Sequence, residues 1–116
     1  MQGTGKTNDP FREIRQTEEL DELYQRSSER PVILFKHSLT CPISHGAYEE
    51  MSHLTDEIAL VIVQDARPLS NEIERRARIR HESPQTLIVR DGEIVWHASH
   101  GSITKTAVTR ALHEFE

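Results

Sequence analysis

The sequence predicts one α/β domain in which a four-stranded mixed sheet is covered by helices on both faces. Two continuous β-rich runs, residues 32–36 and 59–63, suit parallel strands that are buried on both faces. Segments with helical spacing of apolar residues precede, separate and follow these runs. An Asp91-Gly92 dipeptide joins the last two extended segments and is a strong signal for an antiparallel hairpin.

The first half of the chain alternates helix and strand. A helix is predicted to begin with Thr17 as its N-cap, because Glu18 and Glu19 follow in the first turn. The first central strand then covers residues 32–36. A second helix over residues 42–54 has apolar positions that recur every three or four residues and predict one buried stripe: Ile43, Ala47, Met51 and Leu54.

The second half adds a strand over residues 59–63, a short helix from Ser70 to about Ile79, and a hairpin of strands 86–90 and 93–97. Thr104 can cap a closing helix, with Ile103 packing on Val108 as a hydrophobic staple. Two crossover-linked parallel strands, a hairpin and a terminal helix form the thioredoxin-like layout.

Composition narrows the function classes. The 116 residues are 35% hydrophobic and 28% charged, which is enough for one folded domain. A net charge of −5 argues against nucleic acid or an anionic membrane surface as a partner. The apolar runs are too short to cross a bilayer and no signal sequence is recognisable. We expect a soluble, cytoplasmic domain over residues 11–116 after a frayed tail of residues 1–10.

Cys41 is the only cysteine, so an intramolecular disulfide and an all-cysteine zinc site are excluded. It lies where the first central strand meets the second helix, and Pro42 follows at the first helical position. Peptide dipoles at a helix N-terminus stabilise a thiolate over a thiol. Its neighbours Thr40, Lys36 and His37 are further candidates for stabilising the anion. The alternative is a buried cysteine that serves only packing.

Ser83 and Pro84 directly precede the predicted third strand. In thioredoxin-like folds the residue before that strand is a cis-proline facing the active-site cysteine, and its predecessor pairs through backbone groups with an extended substrate. We therefore interpret Ser83 and Pro84 as a substrate-binding edge. Since most bonds before proline are trans, the residues alone leave an ordinary turn proline slightly favoured.

Short blocks in a fixed order carry a family resemblance over Thr17 to Leu112. They are FKHS at 35–38, TCPIS at 40–44, LSN at 69–71, HESPQ at 81–85, VWHASH at 95–100 and IT at 103–104. The chain resembles the monothiol bacilliredoxins of the YtxJ type, a thioredoxin-like family of the bacillithiol system. This resemblance favours the cis form of Pro84.

The resemblance implies removal of bacillithiol from mixed disulfides on client proteins, with Cys41 as the nucleophile. Ser44 stands where dithiol relatives place a resolving cysteine, so a low-molecular-weight thiol must regenerate the enzyme. Ser44 can still donate a hydrogen bond to the Cys41 sulfur. We expect no tightly bound cofactor, with bacillithiol as co-substrate; glutathione or coenzyme A would replace it in cells that lack bacillithiol.

Two other functions stay open. A monothiol iron–sulfur carrier of the glutaredoxin kind would hold a cluster between two Cys41 thiolates, although the Cys-Gly-Phe-Ser pattern of those carriers is absent. A non-catalytic adaptor is the third reading. His97 and His100 lack a third ligand, so no metal site is predicted. The chain departs from the family at Gly101, where an aromatic residue is common, and Gly46 lies unusually within a predicted helix.

Overall fold

In the computed structural model, which describes residues 9–116, a sheet of five strands lies between two pairs of helices. The elements are β1 Phe11–Glu13, α1 Thr17–Arg26, β2 Val32–His37, α2 Pro42–Met51, β3 Ile58–Ile62, α3 Arg67–Ala77, β4 Gln85–Arg90, β5 Glu93–Ser99 and α4 Lys105–Glu114. A short 3₁₀ turn at His100–Ser102 precedes α4. Most of the predicted tail, residues 1–8, lies outside the described residues.

The strand order β1-β3-β2-β4-β5 corrects the predicted sheet from four strands to five. The additional strand β1 pairs in parallel with β3, and the Pro10 carbonyl accepts from the Ile58 N–H at 2.8 Å. Its three residues contain one apolar side chain, Phe11, so neither alternation nor a continuous apolar run could reveal it. The other strands follow the prediction: β2 and β3 are parallel, and β4 is antiparallel to both β2 and β5.

Each face of the sheet has its own apolar core. One core packs α1 and α3 against residues such as Leu34 and Leu87, and the other packs α2 and α4 against Phe35 and Ile88. The alternation of side chains along β2 therefore decides which helix layer each residue meets. Among residues 9–116 no helix is both long and apolar enough to cross a membrane.

The helix ends refine the predicted boundaries. Gln16, not Thr17, is the N-cap of α1, and the Glu19 carboxylate accepts from the Gln16 N–H at 3.0 Å. The Arg15 N–H also donates to this carboxylate, at 2.9 Å, and the bonds from Arg15 and Gln16 lower the pKa of Glu19. Helix α3 begins three residues before the predicted Ser70, with Pro68 in its first turn. The Thr104 cap of α4 is confirmed, because its hydroxyl accepts from the Ala107 N–H at 3.1 Å.

The predicted hairpin is also confirmed, with Asp91 at φ 56° and Gly92 at φ 77°. At the other end of the hairpin, Gln85 lies opposite both Lys36 of β2 and Ser99 of β5. The C-terminal end of β2, the start of β4 and the end of β5 thus meet at one edge of the sheet. This is also the edge at which α2 begins.

Candidate active site

Cys41 is the N-cap of α2, as the sequence predicts, with extended backbone angles of φ −105° and ψ 119°. Pro42 occupies the first helical turn, and the Cys41 carbonyl accepts from the His45 N–H at 3.1 Å. The thiol is free and partly exposed. Its side chain forms no capping hydrogen bond, so stabilisation of the thiolate by the helix end stays a prediction. A partly exposed position at a helix N-terminus is typical of a reactive cysteine.

The loop of residues 38–40 that presents Cys41 is fastened by three side chains. Ser44 Oγ accepts from the Ser38 N–H at 2.9 Å, and His45 Nε2 donates to the Leu39 carbonyl at 3.0 Å. The Gln64 amide, which follows β3, donates to Ser38 Oγ at 2.9 Å and accepts from the Leu39 N–H at 3.3 Å. The loop that follows β2 is therefore held both by side chains of α2 and by a side chain from the segment after β3.

Ser44 is fully buried, and its hydroxyl lies 2.7 Å from His37 Nδ1. Where His37 Nδ1 donates, Ser44 Oγ accepts from both His37 and Ser38, and its proton is free for the Cys41 sulfur. In the other tautomer that proton goes to His37. Among the described residues, no hydrogen bond joins Ser44 Oγ to Cys41, so the predicted bond stays a prediction.

His37 lies under the active-site loop, stacked on Phe35 at 5.7 Å and near Tyr48 at 4.8 Å between ring centroids. Burial lowers the pKa of His37, and His45 adds to the effect. The ring is therefore neutral at pH 7. It contributes a hydrogen bond to Ser44 and not the positive charge that the sequence suggested.

Lys36 was also predicted to add positive potential near Cys41, but its side chain lies on the other face of the sheet. There it is fully buried (0% exposed), with Nζ 2.9 Å from His81 Nδ1. Burial lowers the pKa of Lys36 to about 8, although the negative charge of Glu74 acts in the opposite direction and raises it. Because α2 packs on the opposite face, the contacts of Lys36 assign it to the loop before β4 and not to the thiol.

The Ser83–Pro84 bond is cis, as the family resemblance led us to expect. The Pro84 carbonyl accepts from the His100 N–H at 3.1 Å, and strand register places Pro84 beside His37. Within residues 9–116, the Ser83 N–H and carbonyl form no backbone hydrogen bond, and its buried hydroxyl has no partner. The Glu82 carboxylate lies 3.3 Å from His100 Nε2. Among the described residues, the backbone N–H and carbonyl of Ser83 thus stay unpaired near the edge where β2 ends, whereas its hydroxyl is enclosed.

Two exposed apolar residues flank Cys41, namely Leu39 (48% exposed) and Ile43 (55% exposed). The prediction that Ile43 belongs to the buried stripe of the second helix is wrong, whereas the other predicted members of that stripe are buried. It lies in the first helical turn, beyond the edge of the sheet that covers Ala47 and Met51. Apolar side chains are therefore exposed two residues before and two residues after the thiol.

Sequence reasoning missed Gln64 and His81 as site residues. Gln64 directly follows the apolar run of β3, and that position at the edge of a parallel sheet was an available signal. His81 lies within the HESPQ block, but nothing in its spacing indicated Lys36 as a partner. Among residues 9–116 no three His, Cys, Asp or Glu side chains are grouped to hold a metal ion.

The comparisons with known proteins agree with this geometry. A sequence model described as Monothiol bacilliredoxin BrxC matches residues 12–108. One similar solved structure, described provisionally as an oxidoreductase with a thioredoxin fold, has 29% identity over 88% of this chain and 93% of that chain, with a TM-score of 0.81.

Two thioredoxins are similar in fold. The Fasciola hepatica protein has 14% identity over 90% of this chain and 99% of its own, with a TM-score of 0.72. A mutant thioredoxin from Halobacterium salinarum NRC-1 has 15% identity over 93% and 92%, with a TM-score of 0.70. At these identities the likeness shows the thioredoxin fold alone.

Proposed function

This chain belongs to the family of monothiol bacilliredoxins, and we propose that it removes bacillithiol from proteins that carry it as a mixed disulfide. The family and the thioredoxin-fold neighbours support a thiol redox role. The observation that carries the proposal is the placement of Cys41. It is the only cysteine, it is partly exposed at the start of α2, and a serine stands one turn later.

In the proposed first step, the Cys41 thiolate attacks the bacillithiol sulfur of the mixed disulfide. The bond between that sulfur and the client cysteine breaks, a Cys41–bacillithiol disulfide forms, and the client leaves as a thiolate that takes a proton from water. Attack on a disulfide requires the anion, and the N-terminal end of α2 favours it. The fastened loop of residues 38–40 keeps the sulfur at that helix end.

The incoming disulfide would dock between the Ser83 edge and the exposed apolar side chains on either side of Cys41. The unpaired N–H and carbonyl of Ser83 can pair with an extended client segment, as a strand pairs with a sheet edge. Leu39 and Ile43 offer apolar contact that does not select one client sequence. These features support a binding edge for proteins that differ in sequence around the modified cysteine.

Regeneration requires a second thiol from outside the chain. Ser44 cannot displace bacillithiol from Cys41, because a hydroxyl does not exchange with a disulfide. We propose that free bacillithiol, or another low-molecular-weight thiol, attacks the bacillithiol sulfur on Cys41. This step releases the Cys41 thiolate together with an oxidised disulfide of the two small thiols.

The test is incubation of the reduced protein with a client that carries bacillithiol on one cysteine. We expect mass spectrometry to show one bacillithiol on Cys41 and an equal amount of reduced client. Cys41→Ala should form no adduct and release no client. Persistent release by that variant, or an equally fast reaction with glutathione and bacillithiol mixed disulfides, would contradict the mechanism or its selectivity, respectively.

A further inference from the structure

The buried amino group of Lys36 has no part in the exchange steps described for Cys41. Its side chain is fully buried on the face of the sheet that α1 and α3 cover, whereas α2 packs on the other face. Burying an ammonium group is strongly unfavourable unless polar groups replace its water. A lysine buried at this position therefore needs a polar partner inside the protein.

That partner is His81, whose Nδ1 lies 2.9 Å from Lys36 Nζ. Burial lowers the pKa of His81, and the nearby Lys36 lowers it further. The imidazole is consequently neutral at pH 7, and its Nδ1 lone pair accepts a hydrogen bond from the Lys36 ammonium. A hydrogen bond with a charged donor is about twice as strong as one between neutral groups.

His81 is the best-anchored residue of the loop between α3 and β4. Its N–H donates to the Glu74 carboxylate at 2.9 Å, and Ser70 Oγ lies 3.4 Å from its Nδ1. The preceding Arg80 carbonyl accepts from Gln85 Nε2 at 3.0 Å. Side chains from β2, α3 and β4 thus converge on two consecutive loop residues.

The anchored residues 80–81 lead directly to the Ser83 edge, where the client segment is proposed to dock. Ser83 follows His81 by two residues, and the N–H and carbonyl of Ser83 have no backbone partner among residues 9–116. The position of these groups relative to Cys41 therefore depends on where residues 80–81 are held. Gln85, which lies opposite Lys36 in the sheet register, closes the loop on its other side.

We propose that Lys36 is a positioning residue that, through His81, holds the Ser83 edge where an incoming mixed disulfide pairs with it. This inference rests on the proposed exchange reaction and assigns Lys36 to recognition of the client segment. It differs from the sequence prediction, in which Lys36 stabilises the thiolate. The two roles are separable because a small electrophile needs the thiolate but not the docking edge.

The experiment compares two reactions of Lys36→Met, whose unbranched side chain replaces the aliphatic part of lysine but lacks the amino group. With a bacillithiolated peptide we expect the second-order rate constant to fall about tenfold, mainly through a higher KM. With iodoacetamide we expect the alkylation rate of Cys41 and its pH profile to be unchanged. Lys105→Met is the matched control, because Lys105 is exposed, and both of its rates should equal those of the wild type.

His81→Leu is the second variant and should reproduce this pattern, because it removes the same contact from the side of the loop. The double variant should lose no more than either single variant, because both remove the same contact. Hydrogen exchange at the amide of residue 81, which donates to the Glu74 carboxylate, should accelerate in each variant while α2 stays protected. This readout does not depend on exchange activity.

If Lys36→Met slows both the alkylation of Cys41 and the reaction with the bacillithiolated peptide, the proposal is overturned. Lys36 would then stabilise the Cys41 thiolate directly. Unchanged disulfide exchange together with unchanged protection of the amide of residue 81 would overturn it as well, as would additive losses in the double variant. If Lys36→Met does not fold, His81→Leu decides by the same criteria. A wild-type protein inert toward mixed disulfides would refute the proposed function instead, and hydrogen exchange would still test the contact.

Discussion

Gln64 illustrates how a residue without reactive chemistry determines the placement of a reactive one. Its side-chain amide forms hydrogen bonds with both Ser38 and Leu39, and a third, longer contact of 3.4 Å reaches Thr40 Oγ1. Thr40, predicted as a residue that stabilises the thiolate, is therefore a part of the fastened loop. Cys41 and Pro84 could be identified from sequence because their residue types carry the signal; Gln64 could not, because its role arises from its contacts.

Gln64→Leu should slow the alkylation of Cys41 by iodoacetamide. Leucine keeps most of the volume of glutamine but cannot form the hydrogen bonds that Gln64 makes to the loop. Cys41 is then held less firmly at the end of α2, and its thiolate loses stabilisation. The midpoint of the pH–rate profile should move to higher pH. Gln25→Leu, at an exposed position of α1, should react as the wild type does. An unshifted profile for Gln64→Leu would show that the bonds to the loop do not set the reactivity.

Ser44 permits a complementary test of the monothiol mechanism. Ser44→Cys places a thiol one helical turn after Cys41, where it can attack a Cys41–bacillithiol disulfide. We expect this variant to release bacillithiol without added thiol, whereas Ser44→Ala should retain the adduct. Mass spectrometry of the isolated adducts measures both outcomes. Retention of the adduct by Ser44→Cys would mean that residue 44 does not reach the sulfur.

At the scale of elements, periodicity predicted all four helices and four of the five strands found within residues 9–116. It failed where a segment is too short to show a period, as in β1, and where a helix extends past the sheet, as at Ile43 of α2. Gly46 belongs to the same helix. A Cβ at Gly46 would have no atom within 4 Å, so the structure shows no close approach that requires glycine.

Gly46→Ala should therefore stabilise the protein by about 1 kcal/mol, the difference between these residues inside a helix. Thermal unfolding followed by circular dichroism should show a Tm higher by about 4 °C. Gly92→Ala is the opposing control, because Gly92 has φ 77° and alanine is strained there. If Gly46→Ala lowers the Tm, the glycine has a role that its open surroundings do not reveal.

At the scale of the whole molecule, buried bases make stability depend on pH. Burial lowers the pKa of His37 and of His81 below their ordinary value of 6.5. The unfolded chain thus binds protons that the folded chain resists, and the free energy of unfolding falls as pH is lowered through that range. Sequence alone could not show this, since seven histidines do not reveal which are buried.

Urea denaturation should give a lower free energy of unfolding at pH 5 than at pH 7. His81→Gln should reduce this difference, whereas His113→Gln should preserve it, because His113 is exposed. The carboxylates with lowered pKa, such as Glu72 at about 2, lose their contribution only at lower pH. Equal stability at pH 5 and pH 7 would show that both buried rings accept protons without cost.

Ser27 joins distant parts of the chain at the pole opposite Cys41. Its carbonyl accepts from the Asp91 N–H and from the Arg90 guanidinium, both at 2.8 Å, and its hydroxyl accepts from the Gly92 N–H at 2.9 Å. These hydrogen bonds attach the end of α1 to the hairpin turn. Because β4 also pairs with β2 along its whole length, from Val89 to Gln85, the C-terminal hairpin is held both at its turn and along the sheet, and its open end lies at the edge where α2 begins.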